Sequence, residues 1–435
     1  MLISRPILAD LAVRLHALPS GLRAATVDVG DLDPLDVVRA GAAAFGFAAF
    51  FSSVDGRSVG ALGVSGRVAA SGTDRFARLD DGLRRMSPPD AIAPIGFSFA
   101  DDGPSSAEWE GFPAAVAVVP QITVTRSAGR SQLSVSLPSG SDGQMLLALV
   151  STLRPPAAPG TGREVDHAVE SRPSPHDWLG LVAEAVAGIR GAAMQKVVLA
   201  RSVAIRSSTA FEPFDLVATL RDRYPECRVF GWQEGESTFI GASPELLIAR
   251  EGRHFELAPL AGSAPRGTDP EHDRRLGDAL LASPKDRMEH EIVVDDAVRR
   301  LTGLVTTIER SATPQLQRFA TVQHLATPIG GTTDARILEL AGALHPTPAV
   351  GGAPRAEALA FIDKMEGIDR GWYAGGIGWA DGAGNGEIAL GLRSALVRGD
   401  QAIVYAGNGI VRDSEPEAEL EETRLKLRPM LDLLT

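Results

Sequence analysis

The sequence predicts an α+β fold in which large antiparallel β-sheets are flanked by helices. Apolar and polar residues alternate along residues 196–205, which indicates a strand. Paired strands are expected around short turns at 234–236 and 251–253, and strands that are joined by tight turns run antiparallel. Charged amphipathic segments follow these strands, which fits helices packed outside the sheets rather than a doubly wound parallel sheet.

The first half of the chain reads as one helix and several short strands. An amphipathic helix is predicted at the N-terminus, and strands are predicted at 44–52, 93–99, 114–125 and 132–137. The Pro-rich stretch 154–175 has the composition of a linker or a long surface loop. No constellation of reactive side chains stands out before this stretch, so the functional residues are expected after it.

The second half alternates between strands and helices. Helices are predicted at 178–194, 215–224, 272–304, 335–344, 355–366 and 415–434, and a hairpin is predicted from 374–380 and 388–397. The segment 272–304 is the longest of these helices and carries many charged residues. Its amphipathic pattern predicts one long helix on the outside of a sheet.

The composition excludes several classes of protein. Of the 435 residues, 44% are apolar, which is too many for a disordered chain. The single cysteine, Cys227, excludes a disulfide framework and a cysteine-based zinc site, and it favours a reducing cytoplasm. A net charge of −12 disfavours nucleic acid or an anionic membrane as a partner. No apolar run approaches the roughly 20 residues that a transmembrane helix needs.

Two pairs of carboxylates stand at helical spacing. Asp286 and Glu289 form one pair, and Glu419 and Glu422 form the other. Residues three apart project from the same face of a helix, so two such helices that face each other would build a cage of oxygen atoms. Hard oxygen ligands without cysteine suit Mg²⁺. The alternative is that both pairs lie on solvated helix faces of an acidic protein.

Other motifs are weaker. Val294 stands where a zinc protease of the HExxH type needs its second histidine, so that interpretation fails. The glycines at 375–378 and 407–409 lie between strands rather than before a helix, so they do not form a phosphate loop, although the backbone amides near 407–409 could bind a carboxylate. Glu245 follows Pro244 at the end of a strand, where it suits either a general acid or a salt bridge.

Eight blocks of sequence occur in the order typical of one family. They are KVVLAR (196–201), GASPELL (241–247), PLAGSAPRG (259–267), SPKDRMEHE (283–291), HLATPI (324–329), LHPTPAVGG (344–352), RGWYAGGIGW (370–379), and AGNGIV with EETRLK near the C-terminus. Together they resemble the chorismate-utilising enzymes, and among these the isochorismate synthases most. The resemblance covers about residues 175–434. It implies a chorismate-binding catalytic region at 175–435 and a variable part at 1–174 that completes the sheets, the two intertwined as one domain.

The resemblance implies a role for each side chain of a catalytic site. Lys196 is expected to be the general base that deprotonates water for attack on C2 of chorismate, and Glu245 the general acid that protonates the departing C4 hydroxyl. The metal site is expected to hold Mg²⁺ through Glu289 and Glu422, with Asp286 and Glu419 acting through its waters. The groups expected to bind the substrate are Gly262, Ser263, Tyr373, Arg393, Gly407, Gly409 and Lys426.

Two positions distinguish members of the family. Relatives that use ammonia generally carry Gln in place of Lys196, because water needs a base and ammonia does not. Relatives that also eliminate pyruvate tend to carry Thr at Ala349, so Ala349 indicates a reaction that stops at isochorismate. The resemblance also implies a monomer. A salicylate synthase and a non-catalytic chorismate-binding protein are the alternatives. Asn408 departs from the small residue that is usual between the two glycines of AGNGIV.

Overall fold

A computed structural model of the chain describes residues 2–17, 23–88, 90–138, 141, 143–157 and 166–435. Its antiparallel strands form two large sheets and a small third one, with helices packed around them. The predicted α+β class with large antiparallel sheets is therefore confirmed.

The strands are numbered in chain order. Residues before 174 contribute β1 (Arg23–Asp28), β2 (Phe47–Ser52), β3 (Ser58–Leu62), β4 (Gly66–Ala70), β5 (Ile92–Phe97), β6 (Ala115–Val119), β7 (Ile122–Ser127), β8 (Arg130–Leu137) and β9 (His167–Arg172). The later strands are β10 (Lys196–Ser207), β11 (Arg228–Glu234), β12 (Ser237–Ser243), β13 (Leu246–Glu251), β14 (His254–Leu257), β15 (Leu260–Pro265), β16 (Thr307–Arg310), β17 (Gln315–Arg318), β18 (Val322–Ala326), β19 (Ile329–Thr332), β20 (Gly352–Ala353), β21 (Gly376–Asp381), β22 (Gly386–Leu390), β23 (Ser394–Arg398) and β24 (Gln401–Ile410).

The helices are numbered in the same way. They are α1 (Arg5–Ala17), α2 (Pro34–Phe45), α3 (Arg75–Met86), α4 (Gly143–Thr152), α5 (Pro175–Arg190), α6 (Pro213–Arg223), α7 (Pro270–Ala282), α8 (Pro284–Leu301), α9 (Ile337–Leu344), α10 (Arg355–Met365) and α11 (Pro416–Leu434), with a 3-10 turn at Ala107–Trp109. Several begin with proline at the first helical turn, where its missing N–H costs no hydrogen bond.

Both large sheets contain strands from both halves of the chain. The first has the order β1-β8-β7-β3-β2-β11-β12-β23-β24-β10-β20, and β9 also pairs with β10. The second has the order β16-β19-β14-β13-β22-β21-β5-β6-β4, and the third is β15-β18-β17. The halves meet where β2 pairs with β11 and where β5 pairs with β21. The strands before residue 174 thus extend the same sheets that carry the later motifs.

Strand β2 shows how the layers pack. Its side chains alternate between two hydrophobic cores, because successive residues of a strand point to opposite faces. Phe47 and Phe51 join a core that also contains Phe97 of the second sheet, whereas Phe50 joins a core that includes Leu35 of α2. One face of the first sheet therefore packs on the second sheet and the other on helices.

Three of the predicted strands differ from the structure in ways that the local sequence explains. The strand expected at 44–52 begins only at Phe47, because α2 continues to Phe45 and ends on Gly46 in the left-handed conformation (φ 70°). The strand expected at 114–125 is two strands in different sheets, divided at Pro120, which has no N–H to donate. The strand expected at 388–397 is likewise divided into β22 and β23, one in each large sheet.

The prediction of one long helix over 272–304 was wrong. The chain forms α7 and α8, and Ser283 stands between them. The Ser283 hydroxyl accepts a hydrogen bond from the backbone N–H of Asp286, and Pro284 occupies the first position of α8. A serine cap followed by proline starts a new helix, and the amphipathic pattern runs through it unchanged. As a result, Asp286 and Glu289 lie in the first two turns of α8.

Candidate active site

One cavity collects every side chain and backbone position that the sequence predicted for the site. It lies among β10, β15, β24, α8 and α11, beside the segments that follow β12 and precede β23. The predicted residues that line it are Lys196, Glu245, Gly262, Ser263, Asp286, Glu289, Ala349, Tyr373, Arg393, Gly407, Gly409, Glu419, Glu422 and Lys426. Three of the four lysines of the chain face it, since Lys285 lines it too.

Lys196 is the first residue of β10 and is almost fully buried, with 1% of its surface exposed. Its Nζ lies 2.9 Å from Oε1 of Glu289 on α8. Gly409 on β24 makes this contact possible, because a Cβ there would lie 2.4 Å from Glu289 Oε1 and 2.8 Å from Lys196 Cε. Gly409 is therefore required for close approach between the lysine and the carboxylate.

Glu245 follows β12 and is 6% exposed. Burial raises its pKa to about 7, although a hydrogen bond from the backbone N–H of Leu260 and the positive charges of Lys196 and Arg393 act in the opposite direction. The carboxyl group forms no ion pair with any residue in the described ranges. A carboxylic acid that titrates near neutral pH can give up a proton during a reaction.

Arg393 lies in the break between β22 and β23 with a positive φ of 47°, a conformation that arginine adopts at a cost in free energy. Burial lowers the pKa of its guanidinium, which makes no ion pair within the described part of the chain. Tyr373 also faces the cavity, and burial raises the pKa of its hydroxyl to about 12. Its ring stacks on that of Tyr405, with the two ring centroids 5.3 Å apart. A buried cation without a partner is suited to bind an anionic ligand.

Lys426 lies one turn after Glu422 on α11, and its Nζ is 2.7 Å from Glu422 Oε1. The same ammonium donates to the carbonyl oxygen of Gly407 and to Oδ1 of Asn408, both at 3.0 Å. Burial disfavours the charged form of Glu422, but Lys426, His324 and Ser263 together more than offset it and hold the pKa of Glu422 below its usual range. This end of the cavity thus carries one compensated pair of charges.

The other two carboxylates of the cavity carry less compensation. Burial raises the pKa of Asp286, and the neighbouring charge of Glu289 raises it further. Burial and the charge of Glu422 raise the pKa of Glu419, whose Oε1 lies 3.7 Å from Nζ of Lys285. Asp286 and Glu419 therefore carry the negative charge that is least offset by lysines, and the oxygen donors of the cluster suit Mg²⁺. Within the described residues, no three acidic, histidine or cysteine side chains already converge as metal ligands.

Strand β15 brings its backbone to the cavity through a bulge. Gly262 has a φ of 69°, and a Cβ there would lie 3.0 Å from Cβ of Asp286. The Nδ1 atom of His324 lies 3.1 Å from the carbonyl oxygen of Gly262 and 3.0 Å from the Ser263 hydroxyl. Burial lowers the pKa of His324 to about 3, so the ring is neutral at pH 7. The Ser263 hydroxyl also lowers the pKa of Glu422, so β15 and α11 act on the same carboxylate.

A second group of charges, which the sequence pattern did not predict, reaches the edge of the cavity. Arg370 forms a buried ion pair with Glu366, four residues before it at the end of α10, and donates to the carbonyl oxygens of Val198 and Val350. The Glu366 carboxylate accepts from the backbone N–H of Ala200. The spacing of four residues was the available signal, but it does not distinguish a buried pair from an exposed one.

Comparison with known proteins shows the family of the chain. The family of chorismate binding enzymes matches residues 16–435. The salicylate biosynthesis isochorismate synthase of Pseudomonas aeruginosa is 36% identical, covering 95% of this chain and 90% of that protein. Isochorismate synthase MenF of Bacillus subtilis is 36% identical over 79% of this chain and 75% of its own length.

A solved structure has a fold similar to that of this chain. The structure of MenF, the menaquinone-specific isochorismate synthase from Escherichia coli, superposes with a TM-score of 0.85 at 26% identity and covers 98% of this chain and 99% of that one. No helix in the described ranges is both long and apolar enough to cross a membrane. With its cavity, its ordered motifs and a match over nearly its whole length, the chain belongs to the family of chorismate binding enzymes.

Proposed function

We propose that this protein is an isochorismate synthase, an isomerase that converts chorismate to isochorismate with Mg²⁺. A water molecule adds its hydroxyl at C2, the ring double bonds shift, and the C4 hydroxyl leaves as water. One water is consumed and one is released, so the product has the same composition as the substrate. The main observation in favour of this proposal is that one cavity holds a buried lysine, a buried glutamic acid that titrates near pH 7, and cations for an anionic substrate.

Lys196 and Glu245 perform the two proton transfers. Lys196 takes the proton of the attacking water, and Glu245 gives a proton to the departing C4 hydroxyl. Burial prepares Glu245 for this role, because it keeps a substantial fraction of the carboxyl protonated near neutral pH. Lys196 has to leave its contact with Glu289 and lose its proton before it can act as a base.

The substrate carboxylates are bound at the end of the cavity that carries Arg393 and Lys426. Arg393 has no competing acidic partner among the described residues, and Lys426 is held between α11 and β24. The backbone at Gly262, Ser263, Gly407 and Gly409 and the Tyr373 hydroxyl complete this anion site. Because these donors come from several strands, they fix the orientation of the ring as well as its charge.

Mg²⁺ is the proposed cofactor, held by Glu289 and Glu422, with Asp286 and Glu419 supporting it through its waters. The raised pKa values of Asp286 and Glu419 favour this assignment, since they reflect negative charge that a cation would offset. The bound ion would supply positive charge to the substrate carboxylate. Lys196 contacts Glu289 and Lys426 contacts Glu422, so Asp286 and Glu419 carry the least compensated negative charge of the cluster.

The choice of nucleophile and the end point of the reaction follow from two residues. Lys196 favours water over ammonia, because ammonia needs no base. Ala349 lines the cavity and favours a reaction that stops at isochorismate. The relatives named above serve salicylate and menaquinone biosynthesis according to their names, and the proposal covers the reaction that those names share.

The proposal includes a monomer in the cytoplasm that acts on a small molecule. All the proposed site residues line a cavity of a single chain, so the site needs no second copy. The single cysteine is buried and unpaired, which is compatible with a reducing compartment. The acidic net charge disfavours nucleic acid as a partner.

The test is to incubate the purified protein with chorismate and Mg²⁺, with EDTA as a control, and to separate the products by liquid chromatography. We expect isochorismate alone, and we expect EDTA to abolish its formation. Salicylate together with pyruvate would instead identify a salicylate synthase. Unchanged chorismate would contradict the proposed activity and favour a non-catalytic chorismate-binding protein.

A further inference from the structure

Asn408 is one of only two asparagines in the chain and lies between Gly407 and Gly409 on β24. It is 1% exposed, so the polar atoms of its side chain need partners within the protein. The contacts of its side chain therefore show what Asn408 does in the site.

The Asn408 amide joins two groups of the proposed site. Its Nδ2 donates to the backbone carbonyl oxygen of Glu419 at 2.7 Å and to Glu419 Oε2 at 3.2 Å. Its Oδ1 accepts from Nζ of Lys426 at 3.0 Å. Only one orientation of the amide fits, because the opposite one would place its oxygen against two acceptors and its NH₂ group against an ammonium.

We propose that Asn408 is a positioning residue that holds Glu419 for Mg²⁺ and Lys426 for the substrate carboxylate. This inference rests on the proposed function, since it assigns the same cavity to chorismate and Mg²⁺. A neutral amide is the suitable group here. It binds a carboxylate on one side and an ammonium on the other without adding charge to an acidic cluster.

The two contacts differ in how much else supports them. Lys426 keeps the Gly407 carbonyl oxygen and Glu422 when Asn408 is removed. Among the described residues, the Glu419 carboxylate would then depend on Ser414 and on the more distant charges of Lys285 and Lys426. Loss of the amide is therefore expected to weaken Mg²⁺ binding more than it weakens substrate binding.

Two substitutions separate these contacts. Asn408→Ala removes both, whereas Asn408→Asp has the same shape, can still accept from Lys426 and has no donor for Glu419. Mg²⁺ binding is measured by calorimetric titration of the metal alone, and the KM and kcat for chorismate are measured at saturating Mg²⁺. Asn385→Ala is the matched control. Asn385 lies in the turn between β21 and β22, and its side-chain amide binds Asp381 and Arg250.

The expected result is a dissociation constant for Mg²⁺ that rises by about 10- to 100-fold in both Asn408 variants. The KM for chorismate is expected to rise several-fold in Asn408→Ala and to stay within about threefold of the natural value in Asn408→Asp, since a charged acceptor for Lys426 remains. The Asn385→Ala variant should match the natural protein in both constants. Thermal unfolding establishes that each variant is folded at the assay temperature.

Three outcomes would overturn the inference. One is Mg²⁺ binding by Asn408→Ala within about twofold of the natural protein, and another is an equal rise in KM in both Asn408 variants. The third is a natural protein that binds no Mg²⁺, which also overturns the proposed metal. A natural protein that binds Mg²⁺ and chorismate without turnover contradicts only the proposed activity, because the dissociation constants of both ligands then still test the role of Asn408.

Discussion

Two groups of charged side chains, one that anchors strand β10 and one that lines the cavity, differ in how completely their members are paired. The anchoring cluster consists of Glu366 and Arg370. Arg370 binds Glu366 and two backbone carbonyl oxygens, and Glu366 also accepts a backbone N–H of β10. The reaction cluster consists of Lys196, Glu245 and Glu289 together with Arg393, which has no acidic partner among the described residues.

The difference separates charges that stabilise the fold from charges that are available to a ligand. In the anchoring cluster the two charges compensate each other, so its members mainly hold strands together, although Arg370 also lines the cavity. In the reaction cluster Glu245 and Arg393 remain without an ion pair within the described ranges, and burial shifts the pKa of each. A buried charge whose partner is missing is a candidate for substrate binding or proton transfer.

The sharpest test of this comparison is to remove the base from the reaction cluster. We expect Lys196→Met to lower kcat by about 10³- to 10⁴-fold, because general base catalysis contributes on this scale. Binding of chorismate should persist, since Arg393 and Lys426 are unchanged. Lys364→Met is the control, because Lys364 is exposed on α10 and lies outside the cavity. Turnover by the Lys196 variant at the rate of the natural protein would show that Lys196 is not the general base.

The corresponding change in the anchoring cluster should affect stability first. Arg370→Met leaves Glu366 charged and buried, so we expect the free energy of unfolding to fall by about 3–5 kcal/mol. Urea denaturation followed by circular dichroism measures this loss. Arg275→Met removes an exposed pair with Glu271 and should leave the unfolding midpoint nearly unchanged. An Arg370 variant as stable as the natural protein would contradict the assigned structural role.

The metal hypothesis predicts an effect that is smaller than loss of the base but specific to Mg²⁺. Glu289→Gln or Glu422→Gln should lower Mg²⁺-dependent turnover by at least about 100-fold while the circular dichroism spectrum is unchanged. The controls are Glu291→Gln and Glu421→Gln, which alter exposed carboxylates on the same two helices. Normal Mg²⁺ activation in both cavity variants would disprove the proposed cage.

Glu245 gives the smallest effect and the one most sensitive to pH. Burial raises its pKa to about 7, above the ~4.3 of an unfolded glutamate. The resulting stability is fully present below that unfolded pKa and is lost as the pH rises through about 7. The free energy of unfolding of the natural protein should therefore fall by about 3 kcal/mol between pH 4 and pH 8. The Glu245→Gln variant should not show this loss.

Unfolding by urea at several pH values, compared between the natural protein and Glu245→Gln, measures this difference. Glu251→Gln, an exposed glutamate on β13, should follow the natural protein at every pH. If Glu245 is the general acid, turnover of the natural protein also falls above about pH 7. Parallel stability curves for the natural protein and Glu245→Gln would show that Glu245 titrates normally.

Local patterns predicted the elements well except where a single residue interrupts them. The helix expected at 272–304 breaks at Ser283 and Pro284, although its amphipathic period continues across the break. The strand expected at 388–397 leaves one sheet for the other at 391–393, where Arg393 takes a positive φ. Alternation of apolar residues reports burial of a face, and it does not report which sheet covers that face.

The candidate site shows the same limit. The motif blocks named the residues that line the cavity, because each block carries its own recognisable pattern. The partners of these residues depend on distances across the fold, and sequence spacing does not contain them. Lys285 had no assigned role and lies beside Glu419, and Asn408 was only a departure from the family pattern before its contacts were known.

The scarcity of lysine makes this protein suited to chemical footprinting. Lys196 and Lys426 are largely buried in the cavity, Lys285 is partly exposed at its edge, and Lys364 is exposed elsewhere. An amine-reactive reagent should therefore label chiefly Lys285 and Lys364 among the side chains. A ligand in the cavity would shield the first and leave the second accessible, so the ratio of the two labels, read by mass spectrometry, reports occupancy of the site without any assay of turnover.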